Sequence, residues 1–228
     1  MTGGIAAMAL ELIDIALSLP DRPLIVGLQA RVEPGEVLTL MGESGCGKSS
    51  LLAYVAGSLQ PPLRATGTVR LDVHDLGALP IEQRRIGLLF QDDLLFPHMT
   101  VQQNLFFAAP PGPRASRRAR IEAALAEAGL AGFGDRMPHT LSGGQRARVS
   151  LLRALLAEPR AVLLDEPFSR LDAALRAQMR EFVWQRLRSA RVAAVLVTHD
   201  AADVPPGGAV IDLGNLRPGA ATGAAGDA

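Results

Sequence analysis

Apolar and polar positions alternate in two different rhythms along the chain, and the order of those rhythms predicts an α/β fold. Residues 10–37 carry a mixed alternation, with Leu10, Leu12 and Leu17 followed by Leu24, Val26 and Leu28. Pro20-Asp21-Arg22-Pro23 and Glu33-Pro34-Gly35 break this stretch, so two or three strands of an antiparallel flank are expected. Residues 37–41 are a short continuous apolar run, the pattern of a strand covered on both faces in a parallel sheet. A helical pattern follows over 50–59, then two more strand patterns over 67–73 and 85–90. Gln91-Asp92-Asp93-Leu94-Leu95-Phe96-Pro97 interrupts the strands with acids and a proline.

From residue 100 to about 157 the periodicity is helical, broken by Pro110-Pro111-Gly112-Pro113 and by residues 129–138. Within it, Ile121, Leu125 and Leu130 share one face, and the arginines opposite read as an ordinary solvated face. Strand patterns at 161–164, 192–197 and 209–213 surround a helix over about 172–188. The expected organisation is one domain over 1–218, without internal repeat. Its mostly parallel core is formed by 1–91 and 158–213, with an N-terminal antiparallel flank and an inserted helical lobe over about 92–157. The Gly/Ala-rich residues 219–228 are expected to be a disordered tail.

Composition adds exclusions. A chain of 228 residues with 48% hydrophobic content can bury a full core, and 23 acidic residues balance 23 basic ones. With a pI near 6.9 there is no electrostatic case for a nucleic-acid partner beyond a local patch. No apolar run approaches the roughly 20 residues needed to span a bilayer. Glu11 and Asp14 interrupt the N-terminal apolar stretch, which also lacks a basic start, so no signal peptide is expected. The single cysteine excludes an internal disulfide and fits a reducing compartment.

Candidate chemistry is concentrated in Gly42-Glu43-Ser44-Gly45-Cys46-Gly47-Lys48-Ser49, which fits G-x-x-x-x-G-K-[ST] between a predicted strand and a predicted helix. This is a phosphate-binding loop, or P-loop: glycines let amides point inward, and the helix that Ser50 continues offers its positive end to an anion. Lys48 is expected to reach the β- and γ-phosphates, and the Ser49 hydroxyl to ligate Mg²⁺. Among 23 basic side chains Lys48 is the one lysine; a compact ammonium fits inside a ring of amides where a planar guanidinium does not. Cys46 reads as a small filler whose thiol the helix end would activate, so alkylation is expected to block nucleotide binding, with Mg-ATP protecting.

A second apolar strand ends in Asp165-Glu166, at the edge where a parallel sheet carries its ligand site. Asp165 is expected to hold Mg²⁺, and Glu166 to act as general base or to position water. Leu141-Ser142-Gly143-Gly144-Gln145 precedes a helix; a hydroxyl, bare glycine amides and a helix N-terminus together form an anion receptor.

With these three motifs the chain resembles the ATP-binding subunits of ABC transporters, whose signature is the Leu141–Gln145 pentapeptide, and the resemblance runs from about Leu10 to Leu213. It implies ATP and Mg²⁺ as ligands, and a homodimer in which Ser142, Gly143, Gly144 and Gln145 close on the nucleotide of the second subunit. Gln91 matches the family's glutamine loop, expected to touch Mg²⁺ and the attacking water. Asp172 matches the acidic position of the loop that crosses the dimer interface, and His199 the switch histidine that contacts the γ-phosphate and orients Glu166.

The stretch from Leu95 to Val101, with Asn104-Leu105, is similar to the importer branch near ATPases for thiamine, polyamines, iron or oxyanions, and the whole chain looks most similar to the YnjD-type group. That implies an integral membrane permease, an extracytoplasmic solute-binding protein and a position on the cytoplasmic face of the membrane. The alternatives are a soluble ATPase, such as one for iron–sulfur assembly, and an exporter or lipoprotein-release ATPase. The short spacing between Lys48 and Gln145 leaves no room for the long coiled coil of DNA-maintenance relatives, and Phe96-Pro97-His98 argues against the exporter. A small-molecule kinase would not need the signature pentapeptide. Two departures stand out. No aromatic residue lies near Ser18-Leu19-Pro20 to stack on adenine, so weaker base selectivity is expected. Only 29 residues follow His199, so no C-terminal regulatory domain is expected.

Overall fold

The computed structural model describes residues 7–89 and 93–216. Gln91 and the segment 219–228 lie outside them.

Two sheets organise the chain. The first is antiparallel, built from β1 (Leu10–Ser18), β2 (Pro23–Val32), β4 (Arg64–Leu71) and the short β5 (His74–Asp75), in the order β2-β1-β4-β5. The second is wholly parallel and contains β3 (Val37–Met41), β6 (Ile86–Leu89), β7 (Ala161–Asp165), β8 (Ala193–Val197) and β9 (Ala209–Asp212). Its order is β6-β7-β8-β3-β9, which makes β7, β8 and β3 adjacent.

The parallel strands bury alternate residues on opposite faces. Leu38, Leu40, Leu163, Val195 and Val197 meet the antiparallel sheet and Leu51, Leu52 and Val55 of α1 (Lys48–Ala56). Val37, Val162, Leu164, Ala194 and Leu196 meet Met179, Val183, Trp184 and Leu187 of α6 (Ala173–Ala190). Burial on both faces is why these strands read as continuous apolar runs. Between them lie the one-turn α2 (Ile81–Arg84), then α3 (Val101–Ala108), α4 (Arg114–Glu127) and α5 (Gly143–Leu156). The last three share a separate apolar cluster through Val101, Leu105, Ile121, Leu125, Val149 and Leu152. α5 serves both clusters: Leu151 faces the parallel sheet, while Val149, Leu152 and Leu156 face α3 and α4.

The mixed alternation of the N-terminal strands has a structural cause. Asp14 takes a left-handed backbone (φ 50°), where the β1–β4 register shifts, so the buried set changes from Leu10 and Leu12 to Ile15 and Leu17. The same happens in β2, where Ile25 and Leu28 are buried and Val26 is exposed, contrary to the expected Leu24-Val26-Leu28 face. Gly67 makes the bulge feasible, since a Cβ there would lie 2.4 Å from the Asp14 carbonyl oxygen, with φ at +99°. Gly67→Ala is expected to cost about 2–4 kcal/mol from backbone strain plus the clash, whereas Gly112→Ala, which meets nothing within 4 Å, should be close to neutral. Thermal unfolding of the two variants checks this; equal melting temperatures would contradict it.

The helix expected over 50–59 starts earlier, at Lys48, and stops at Ala56 because Gly57 turns left-handed and bonds back to the last-turn carbonyls. The α4 arginines also depart from the expected solvated face. Arg117 turns inward to donate to the carbonyls of Phe106 and Ala109, satisfying the open C-terminal end of α3, and lies over the Phe106 ring. Arg118 and Arg120 do stay outside, in exposed pairs with Glu122 and Glu158.

Candidate active site

The C-terminal ends of β3, β7 and β8 bring three loops together. After β3 the chain wraps through Gly42, Gly45 and Gly47, with φ of 148°, 78° and 100°, conformations that only glycine adopts without strain. Gly47 opens α1 with no side-chain cap, so the helix's first-turn amides face the loop as an anion receptor. Lys48 is only 8% exposed, and its Nζ donates to the carbonyls of Gly42 at 2.7 Å and Glu43 at 2.8 Å. The ammonium is thus held over the loop chiefly by backbone carbonyls.

Cys46 corrects one expectation. Its thiol is fully buried, packed where a Cβ on Gly42 would lie 2.9 Å from Sγ, and 4.0 Å from Lys48 Nζ. The residue fills the inside of the loop and offers no surface to an alkylating reagent. The lack of an aromatic near Leu19 is not made good by Tyr54, whose hydroxyl donates to the Gly67 carbonyl; Leu19 is partly buried against the core.

At the end of β7, Asp165 faces Ser49, whose hydroxyl favours the charged carboxylate. Burial pushes its carboxyl above the usual range, opposed by Ser49 and by the Lys48 charge and reinforced by Glu166. A hydroxyl and a carboxylate side by side are hard oxygen donors suited to Mg²⁺, which keeps waters and substrate oxygens in its shell and needs no all-protein cage. Among the described residues no group of three or more His, Cys, Asp or Glu that could hold a metal occurs.

Glu166 has a left-handed backbone (φ 45°), fixed by its amide bonding to the Val197 carbonyl at 2.9 Å and its carbonyl accepting the Ser169 hydroxyl at 2.9 Å. That turn swings its carboxylate to 3.2 Å from Nδ1 of His199, at the end of β8. The open cavity beside the loop, about 600 Å³, is walled by Gly42, Glu43, His199, Val210 and Asp212. Val210 and Asp212 carried no sequence signal, because β9 reaches the site only through its pairing with β3.

Ser142 and Gln145 cap α5 reciprocally: the Ser142 hydroxyl accepts from the Gln145 amide at 3.3 Å, and the Gln145 side chain accepts from the Ser142 amide at 2.9 Å. Gly144 is packed under α6, its absent Cβ falling 2.3 Å from Leu175, while Gly143 is open. The Ser142 and Gln145 side chains are thus spent on each other's backbone amides at the start of α5. Asp172 caps α6 through the Leu175 amide at 3.0 Å.

A phosphate loop, a strand-end Asp-Glu pair, a histidine facing the glutamate and a separate capped Ser-Gly-Gly-Gln turn define an ATP-hydrolysing subunit of the transport type. The family model for ABC transporters matches residues 25–169, and the chain belongs to that family. It is 47% identical over 201 residues to the ABC transporter ATP-binding protein YnjD of Escherichia coli K12, covering 88% of this chain and 93% of that one. It is 39% identical to the sulfate/thiosulfate import ATP-binding protein CysA of Gloeobacter violaceus and 40% identical to the spermidine/putrescine import ATP-binding protein PotA of Chromobacterium violaceum. These matches cover 85% and 84% of this chain but only 56% and 53% of those two proteins, so the chain spans about half the length of the longer importer subunits. Among the described residues no helix is long and apolar enough to cross a membrane.

Proposed function

We propose that two copies of this chain close around two ATP molecules and drive import of a small solute through a separate membrane permease, from the cytoplasmic face and supplied by an extracytoplasmic binding protein. The observation that carries the reading is the division of the site. Lys48 and Ser49 follow β3, Asp165 and Glu166 end β7 and His199 follows β8, three adjacent strands, while the Ser142–Gln145 anion receptor opens a different helix, α5, with its side-chain bonds turned on itself. A second copy is what would bring the two halves together, with Asp172 in the loop between them.

Each residue then has a task. The loop amides from Gly42 to Ser50 and Lys48 neutralise the β- and γ-phosphates. Ser49 and Asp165, joined by Gln91, would hold Mg²⁺, which when bound would supply charge neutralisation on the phosphate oxygens. Glu166 orients or deprotonates the attacking water, and His199 fixes the carboxylate. ATP favours the closed pair because it touches both halves only there, and hydrolysis releases it.

One groove supports a docking place for the permease. A groove of about 340 Å³ between β6 and the helical lobe is lined by Leu88, Leu94, Phe96, Phe107 and Arg153, with Phe107 68% and Leu94 55% exposed. It is built rigidly. Asn104, fully buried, holds the Phe96–Thr100 turn through Phe96, Met99 and Thr100, and Phe96 meets Phe107 edge-on at 4.9 Å. Phe107→Asp is expected to cut permease recovery in gentle membrane co-purification at least tenfold, with the isolated chain's ATP affinity unchanged. Recovery of an unaltered permease complex would refute the docking site. Capture of only soluble partners by the unaltered chain would move the function to a soluble ATPase.

A further inference from the structure

We propose that Arg176 is a positioning residue for hydrolysis, tying the chain segment after Glu166 to the segment after His199 so that carboxylate and imidazole meet. The inference rests on the catalytic reading of those two residues.

Arg176 stands in the first turns of α6, and its guanidinium reaches in two directions. Nε donates to the Phe168 carbonyl at 3.1 Å, two residues past Glu166. One terminal nitrogen donates to the Asp200 carboxylate at 2.6 Å, one residue past His199. The two loops come from different strands, and this side chain bonds to both within two residues of the reacting groups. A planar guanidinium fixes the angle between two such bonds, which a lysine ammonium would not.

Asp200 is itself braced. Its second oxygen accepts the Ala202 amide at 2.9 Å, and its own amide donates to the Thr198 hydroxyl at 3.1 Å. That hydroxyl in turn donates to Asp203 at 2.9 Å, and Asp203 is almost wholly buried. His199 therefore sits between two residues locked into one network, while its own ring is outside it. One turn along α6, Arg180 reaches the Ala202 carbonyl and Asp203 at 3.3 Å. Arg180 holds the histidine loop alone; Arg176 also holds the glutamate side.

The pair Arg176 and Arg180 supplies its own control, because both anchor the same loop and only one spans the reacting pair. ATP turnover, KM and melting temperature would be measured on the full chain, in the complex it co-purifies with, for Arg176→Ala, Arg176→Lys, Asp200→Ala, Arg180→Ala and the Arg176→Ala/Asp200→Ala double variant. Arg176→Ala is expected to lower kcat about 10- to 100-fold with KM within about twofold, since misplacement rather than lost binding is the defect. Arg176→Lys should recover only part of this. The double variant should be no slower than the slower single one. Arg180→Ala should lose as much melting temperature but less than about threefold in kcat. Turnover of Arg176→Ala within threefold of the unaltered chain, or kcat falling in step with melting temperature for both arginines, would overturn the proposal. Glu166→Gln and His199→Ala run in parallel separate the two failures. If they keep full turnover, the catalytic reading itself is wrong; if they stop it while Arg176→Ala does not, only the positioning role is lost.

Discussion

Glu166→Gln is expected to lower ATP turnover by about 10²- to 10³-fold while ATP still binds and two chains remain locked as a dimer. The amide is nearly the size of the carboxylate, so Nδ1 of His199, now 3.2 Å from Oε1, keeps a partner and the loop keeps its shape. What is lost is the ability to accept a proton from water, the contribution that a positioned general base makes to such reactions. Folding should be barely affected, because the backbone bonds to Val197 and Ser169 that hold the left-handed turn do not involve the side chain. Phosphate release, equilibrium nucleotide binding and light scattering with Mg-ATP check the three parts. A variant that hydrolyses ATP within threefold of the unaltered chain removes Glu166 from the chemistry. One that stays monomeric with Mg-ATP removes the closed pair from the proposed cycle.

The sites most visible in the sequence are those where backbone, not packing, sets the chemistry. Residues 42–49 could be read because glycines at left-handed φ, a lysine and a following helix are local requirements, and the structure assembles the loop from its own carbonyls and amides. The pairing of Glu166 with His199 was legible only through the order of motifs; its physical basis, adjacent β7 and β8, is long-range. The same limit hid Arg176, Arg180 and Asp203, which look like ordinary helix and loop residues until α6 is laid across the sheet. Local strain was a further blind spot. The alternation in β1 and β2 misled at Val26 because bulges at Asp14 and near Gly27 change which parity points inward. Cys46 misled in another way, since a helix N-terminus activates a thiol only if the thiol faces it from accessible space, and this one is sealed inside the loop.

Lys48→Ala is expected to weaken ATP binding by about 10- to 150-fold, the loss of a charge-assisted hydrogen bond worth about 1.5–3 kcal/mol to a phosphate oxygen. The sharper test is Lys48→Arg, which keeps the charge and should bind ATP little better than the alanine variant. The ammonium is only 8% exposed, held 2.7 and 2.8 Å from two loop carbonyls and 4.0 Å from the buried Cys46 sulfur. A planar group with five donors cannot enter that ring without opening the loop, and opening it withdraws the amides that the phosphates need. This gives a physical reason why a chain with 23 basic side chains keeps a single lysine, and keeps it here. The same fact makes the measurement clean. Lys48 is the one side-chain amine in the chain, so an amine-reactive label mapped to its peptide, with and without ATP, reports on this site alone. ATP should protect it in the unaltered chain. Equal ATP affinity for Lys48→Arg and the unaltered chain would show that charge suffices, and would defeat the steric account of the lone lysine.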